Sequence, residues 1–208
     1  MTGLNGGNRR ERRKERTRRA LLDVALACFA RQGIHGTRIE DITAQADLGK
    51  GAFYNYFASK DELVAALLAE AVEILDRNFL SRVEATGPLA GRVAALAEAH
   101  ERFFEAHPEY PVLFHQARGL LMLDRSPASQ LRTVMKDYLA RLAQRLAPSS
   151  EPDGLWSSAQ RLDAAAAFAG AITGYRSHGM AAALPLESRT VVDLVTVGLV
   201  ALMEKRHP

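Results

Sequence analysis

Apolar residues recur at three- and four-residue steps through most of the chain, and no stretch alternates apolar with polar over a strand's length. That spacing gathers them on one face of an α-helix, so the fold is expected to be all-α. Leu21, Val24, Cys28 and Phe29 mark the first such face, in a helix from about Arg12 to Gln32 that Gly33 ends as a left-handed cap. Thr37-Arg38-Ile39-Glu40 has capping-box spacing: a hydroxyl to accept an amide hydrogen, and a carboxylate to reach back. It opens a short helix from Ile39 to Ala46, which Asp47 and Gly49 break before a third from Lys50 to Phe57. Ser59-Lys60-Asp61-Glu62 repeats the box ahead of a long helix to about Val83, stopped by Gly87-Pro88. Further helices are expected from Pro88 to Ala106, over 112–123 behind Pro111, from Ala128 to Leu146, from Trp156 to Ala183 and from Glu187 to Lys205, about nine in all. Residues 1–8, rich in Gly and Asn and without periodicity, read as a flexible tail.

A chain of 208 residues with 25% charged and 48% hydrophobic content argues against wholesale disorder, collagen or a disulfide-stapled mini-protein. The lone cysteine, Cys28, cannot form an internal disulfide and fits a reducing, cytoplasmic setting as inert core. Charge is polarised. Residues 1–60 carry 12 basic side chains against 6 acidic ones, whereas the remainder is mildly anionic. A cationic first third suggests a polyanionic partner, nucleic acid or an anionic membrane surface. Arg9-Arg10 and Arg18-Arg19 ahead of Ala20–Ala30 resemble an export signal, but Asp23 interrupts the run and its periodicity is that of an amphipathic helix. Val191 to Met203 contains Asp193 and is shorter than the roughly 18 apolar residues a membrane span needs, so no membrane partner is expected.

Two short helices across a tight turn, preceded by an amphipathic helix and basic charge, read as a helix-turn-helix whose second helix enters the major groove. If Lys50 to Phe57 is helical, Phe53 and Phe57 share one face, suited to packing on Ile39, Ile42 and the first helix. The other side presents Asn55 for an adenine edge, Ala52 for a thymine methyl and Lys50 for guanine acceptors, with Gly51 in the same stretch. Tyr54, Tyr56, Thr37 and Lys60 suit phosphate contacts, and Arg38 suits either class. The alternatives are that Tyr54 and Tyr56 cap the core with their rings, and that Lys60 is a solvated helix-start residue. The arginine run Arg9–Arg19 is either a DNA-facing arm or an exposed helical face.

Gly33-Ile34-His35-Gly36-Thr37-Arg38-Ile39-Glu40-Asp41-Ile42, followed by Leu48-Gly49-Lys50-Gly51-Ala52-Phe53-Tyr54-Asn55-Tyr56-Phe57-Ala58-Ser59-Lys60-Asp61-Glu62-Leu63, resembles the DNA-binding domain of the tetracycline-repressor (TetR) family. The resemblance covers about residues 15–65. It implies a helix-turn-helix domain over 9–60 and a helical-bundle ligand-binding and dimerisation domain over 61–208. Two positions depart from the family pattern: Asp47 stands where the inter-helix turn usually has Gly, and Gly49 where a Ser or Thr usually starts the recognition helix.

The eighth helix is small-sided through Ala164–Ala167, Ala169–Ala171 and Gly174, and the ninth has a broad apolar face of Val191, Leu194, Val195, Gly198, Leu199 and Leu202. Such faces serve internal packing or a second copy; the resemblance implies a homodimer built on these last two helices, 156–183 and 187–205, binding palindromic double-stranded operator DNA. It further implies a small-molecule effector held near Phe103, Phe104, His107, Phe114, Met122, Trp156, Phe168 and Tyr175, with His115 and His178 as further polar contacts and Arg118 or Arg176 for an anionic one; each is alternatively plain core or a solvated surface residue. No nucleophile elbow, zinc helix, phosphate loop or dinucleotide fingerprint occurs, and His100 and His107 lie about 10 Å apart along a helix, too far to share a metal. No enzyme activity, cofactor or metal is expected. The reading is therefore a ligand-responsive transcriptional regulator, more readily a repressor; an architectural DNA-coating protein and a helical-bundle enzyme with a vestigial helix-turn-helix are the alternatives.

Overall fold

The computed structural model describes residues 5–83, 87–123, 129–147 and 156–204, with side chains described from Arg9 to Leu202 within those stretches. Expectations for residues 1–4, Ala128, Pro148–Gly154 and Lys205 lie outside the described residues.

Nine α-helices occur among them: α1 Asn5–Gly36, α2 Ile39–Gln45, α3 Lys50–Phe53, α4 Lys60–Asn78, α5 Leu89–Ala106, α6 Tyr110–Leu123, α7 Gln130–Leu146, α8 Ser158–Ala182 and α9 Ser188–Glu204. A single 3-10 turn, Leu80–Arg82, follows α4. Helix α1 starts earlier than the apolar pattern indicates, because a helix once formed extends at little cost through a stretch with few apolar residues. It is kinked at Gly33, which leaves helical geometry at φ 76°, ψ 165°. Helix α3 is shorter than expected: after Phe53 the amides of Asn55 and Tyr56 bond three residues back, to Ala52 and Phe53, tightening the last turn.

The starts of α4 and α8 carry their chemistry in the sequence. Ser59 Oγ accepts from the Glu62 amide, and Glu62 reaches back to the Ala58 amide. Ser157 and Gln160 form a reciprocal capping box ahead of α8. At α2 the expected cap is displaced by one residue. Arg38 is the cap position, and Asp41, not Glu40, accepts from the Arg38 amide at 3.0 Å.

One apolar core runs through the described residues from α1 to α9. α1 packs on α2, α4 and α6; α4 lies against α6 and α7; α5 packs on α9 and α7; α8 sits against α7, α6 and α9. Leu21, Leu22, Ala25 and Phe29 of α1 meet Ile42, Phe53 and Phe57, and the same cluster continues through α4 into the rings of α5 and α6.

Between α2 and α3 the chain reverses through a Schellman turn: the Leu48 amide bonds Thr43 O at 2.8 Å and the Asp47 amide bonds Ala44 O at 3.2 Å. Asp47 itself holds φ 55°, in the left-handed region where a β-carbon is disfavoured. Asp47→Gly is expected to stabilise the fold by about 0.5–1 kcal/mol, the relieved backbone strain outweighing the extra freedom of the unfolded glycine. Thermal melting checks this; an unchanged or lowered midpoint would contradict the strain.

Candidate nucleic-acid interface and ligand region

The α2–α3 unit stands on α1 through Ile42, Phe53 and Phe57, the two phenyl rings lying 5.7 Å apart, with the Arg18 guanidinium 5.3 Å from the Phe57 ring centre. With those faces buried, Arg38, Lys50, Gly51, Tyr54 and Asn55 are exposed, and Ala52 and Tyr56 half-buried. The expected reading residues are thus left exposed or half-buried beside that buried base. Tyr54 is 53% exposed with its ring edge-on to Phe53, so it is both core cap and surface group. Exposed Lys50 forms an ion pair with Glu40 across the helix pair. That hydrogen bond raises the pKa of Lys50 and lowers that of Glu40.

Thr37 and Lys60 are placed differently from expectation. Thr37 is buried, its hydroxyl donating to Gly33 O at 2.8 Å, because it closes the kink at the end of α1 instead of capping α2. Lys60 turns inward, its ammonium donating to the Ile34 and Thr37 carbonyls at 2.8 and 3.0 Å. Neither contact was readable from spacing, since the acceptors are backbone groups freed by the kink. Arg19 also faces the body, bridging Asp23 and Glu70 of α4 at 2.6 Å. Arg9, Arg10, Arg12, Arg13, Lys14 and Arg16 remain exposed along α1.

In the body, Phe103, Phe104, His107 and Phe114 join a ring cluster with Phe79 and Tyr110; Phe103 stacks on Tyr110 at 5.4 Å and Phe104 meets Phe114 edge-on at 5.7 Å. Phe168 attaches to it through His100 and Tyr138. Met122 lies apart at 86% exposure, because the last turn of α6 is left uncovered among the described residues. Trp156 borders an outer groove with Asp163, Leu199 and Leu202. Tyr175 and Phe168 border a groove of about 250 Å³ between α8 and α9, lined by Ala167, Val191, Leu194 and Val195. Arg176 is held by a carboxylate of the protein itself: Nε and Nη2 reach the buried Glu101 at 3.1 and 2.5 Å, tying α8 to α5. His115 and His178 are exposed, near Arg118 and bonded to Gly174 O respectively. Cys28 is buried, 3.6 Å from Arg31 Nη2.

Spacing alone did not single out the polar pair at the cluster's centre. His100 is fully buried, with Nδ1 2.7 Å from Leu96 O and Nε2 3.0 Å from the Tyr138 hydroxyl. The carbonyl requires an Nδ1–H, leaving Nε2 to accept from Tyr138. No group of three or more His, Cys, Asp or Glu side chains among the described residues is placed to hold a metal ion. Among the described residues, no helix is long and apolar enough to cross a membrane.

Residues 21–67 match the family model described as "Bacterial regulatory proteins, tetR family". The likeness to the tetR family is carried by those residues, which span the second half of α1, both short helices and the start of α4. Over 94 residues, 45% of this chain and 47% of that protein, it is 32% identical to the HTH-type transcriptional repressor KstR2 of Mycobacterium tuberculosis. The chain spans about half the length of the curated relatives it matches. The fold extends further. The transcriptional regulator FadR from Bacillus subtilis, solved in complex with stearoyl-CoA, superposes with a TM-score of 0.65 at 18% identity, over 86% of this chain and 97% of that one. AibR, solved with isovaleryl coenzyme A and operator DNA, gives 0.61 at 18% identity, over 86% and 96%. The proteins that this chain is similar to thus carry the names of regulators, and among the described residues its helical fold is of the same type as that of FadR and AibR.

Burial lowers the His100 pKa to about 4 from the ordinary 6.5. In the unfolded chain the imidazole protonates near 6.5, so its contribution is fully present above that value and is lost as the pH falls towards 4. Unfolding free energy is expected to drop by about 3 kcal/mol at most across that window, and His100→Gln to flatten the slope. Denaturant titrations at several pH values measure it; equal slopes in both proteins would refute the assignment.

Proposed function

We propose that this chain is a dimeric, ligand-responsive DNA-binding regulator acting as a repressor. Residues 9–60 form its DNA-reading part and 61–208 its effector-binding and dimerisation part. The observation that carries this is the exposed face of Arg38, Lys50, Gly51, Tyr54 and Asn55, raised on a buried Phe53–Phe57 base next to the basic first half of α1. Asn55 and Lys50 supply base-edge contacts with Ala52 beside them, and Tyr54, Tyr56 and the α1 arginines supply phosphate contacts. Thr37 and Lys60 support that face from beneath through the kink carbonyls.

Two copies are needed to span a palindrome. Leu194, Val197 and Leu202 of α9 and Leu162 of α8 are 44–69% exposed, next to the apolar α8–α9 groove, which supports dimerisation through these helices. The ring cluster around Phe103 is the region where an effector would insert, separating rings that now touch. Acyl-coenzyme A thioesters are the first probes, because FadR and AibR were solved with them.

Enrichment of a randomised duplex library by the purified protein tests the reading. A palindromic winner bound more tightly than its scrambled counterpart is expected, with release by an acyl-CoA. Equal affinity for both duplexes would overturn it. Glu40→Gln is expected to strengthen binding to both about two- to fivefold, by releasing Lys50 and removing a carboxylate from the face; titration by fluorescence anisotropy shows it, and weaker binding would contradict the placement. Leu194→Glu is expected to convert dimer to monomer in sedimentation, whereas an intact dimer would move the interface off α9.

A further inference from the structure

At Gly33 the chain leaves the α1 helix, and the backbone groups of the next few residues must find their hydrogen-bond partners elsewhere. The Ile34 amide donates to Gln116 Oε1 of α6 at 2.5 Å, across 82 positions of sequence. A β-carbon built on Gly33 would lie 2.8 Å from Gln116 Nε2 and 3.1 Å from its Oε1, and the residue holds φ +76°. Glycine at 33 and a long amide at 116 therefore fit each other. Ile34 O and Thr37 O are taken by Lys60 of α4, Gly33 O by the Thr37 hydroxyl, and the Ile34 side chain is fully buried. Helix α2 starts at Ile39, immediately after this corner, and α3 comes next by way of the Schellman turn.

We infer that Gln116 is a positioning residue for the DNA-reading face, acting through the Gly33–Thr37 corner without touching DNA. Its neighbours Phe114 and Ala117 are buried in the body core, so the amide is carried by a helix that belongs to the body. The direction in which α2 and α3 leave α1 is thereby set by where α6 stands. A free α1–α2 corner would leave the Ile34 donor unmet in a half-buried site, and a peptide amide in that position rotates to find another partner. The inference rests on the function proposed above.

The test uses the full chain, the duplex enriched by the wild type and its scrambled counterpart. Gln116→Leu keeps the bulk and loses the acceptor; Gln116→Glu keeps the acceptor. Gln116→Leu is expected to speed exchange of the Ile34 amide and to lower the ratio of enriched to scrambled affinity about tenfold, with scrambled binding and its salt slope unchanged. Gln116→Glu is expected to restore both. A merely structural residue would shift the melting midpoint without moving that ratio. Should Gln116→Leu fail to fold, Gln116→Asn, one methylene shorter, gives the same comparison. The inference is overturned if the ratio survives while the Ile34 amide exchanges faster, or if Gln116→Glu behaves as Gln116→Leu does. If the wild type enriches no duplex, the proposed function fails, and the inference falls with it.

Discussion

A single apolar core joins the outward face of α2 and α3 to the far end of the body, and the polar features of the protein are arranged around that continuity. Phe53 and Phe57 stand on α1, α1 lies on α4 and α6, and α4 leads to the rings of α5 and α6. Packing this dense transmits displacement instead of absorbing it. The exposed face is therefore held in place from behind by the body, and its backbone groups at the Gly33 kink are satisfied by Lys60 and Gln116. Both side chains come from helices that also pack in the body.

Charge is sorted by the same architecture. Arginines that touch the body are used to fasten helices: Arg19 to Glu70, Arg145 to Asp76, Arg176 to Glu101. The Arg176–Glu101 pair is the most enclosed of these, and its bidentate geometry offsets the cost of burying the carboxylate. The basic residues at the start of α1 are exposed, giving one end of the molecule a cationic field suited to a polyanion. The Lys50–Glu40 pair moderates that field at the middle of the face, so binding exchanges one partner of Lys50 for another.

Helix identity and most helix ends were legible from apolar spacing and caps, because Ser59, Pro88 and the α8–α9 break act locally. The Phe53–Phe57 base was legible because the Phe57 amide still bonds the Phe53 carbonyl four residues back, although α3 itself ends at Phe53. What spacing could not reveal was long-range backbone chemistry. Thr37 read as a cap and a phosphate contact, and Lys60 as a phosphate contact or a solvated residue, whereas both answer carbonyls exposed by a kink whose shape depends on α6. Gln116 drew no notice, since one amide in an amphipathic helix has no pattern. The interior pair of His100 and Tyr138 was hidden likewise, and Arg176, weighed for an anionic effector, proves to be engaged by Glu101 from another helix.

If DNA lies on the α2–α3 face and along the start of α1, bound duplex must shield the backbone there and leave the far helices as they were. Amide hydrogen exchange of the whole protein with and without its enriched duplex measures that shielding residue by residue. Slowed exchange over 37–56 and along the first half of α1, with α8 and α9 unchanged, is the expected result. Protection centred on the body, or none on Lys50–Tyr56 while the duplex is bound, would contradict it.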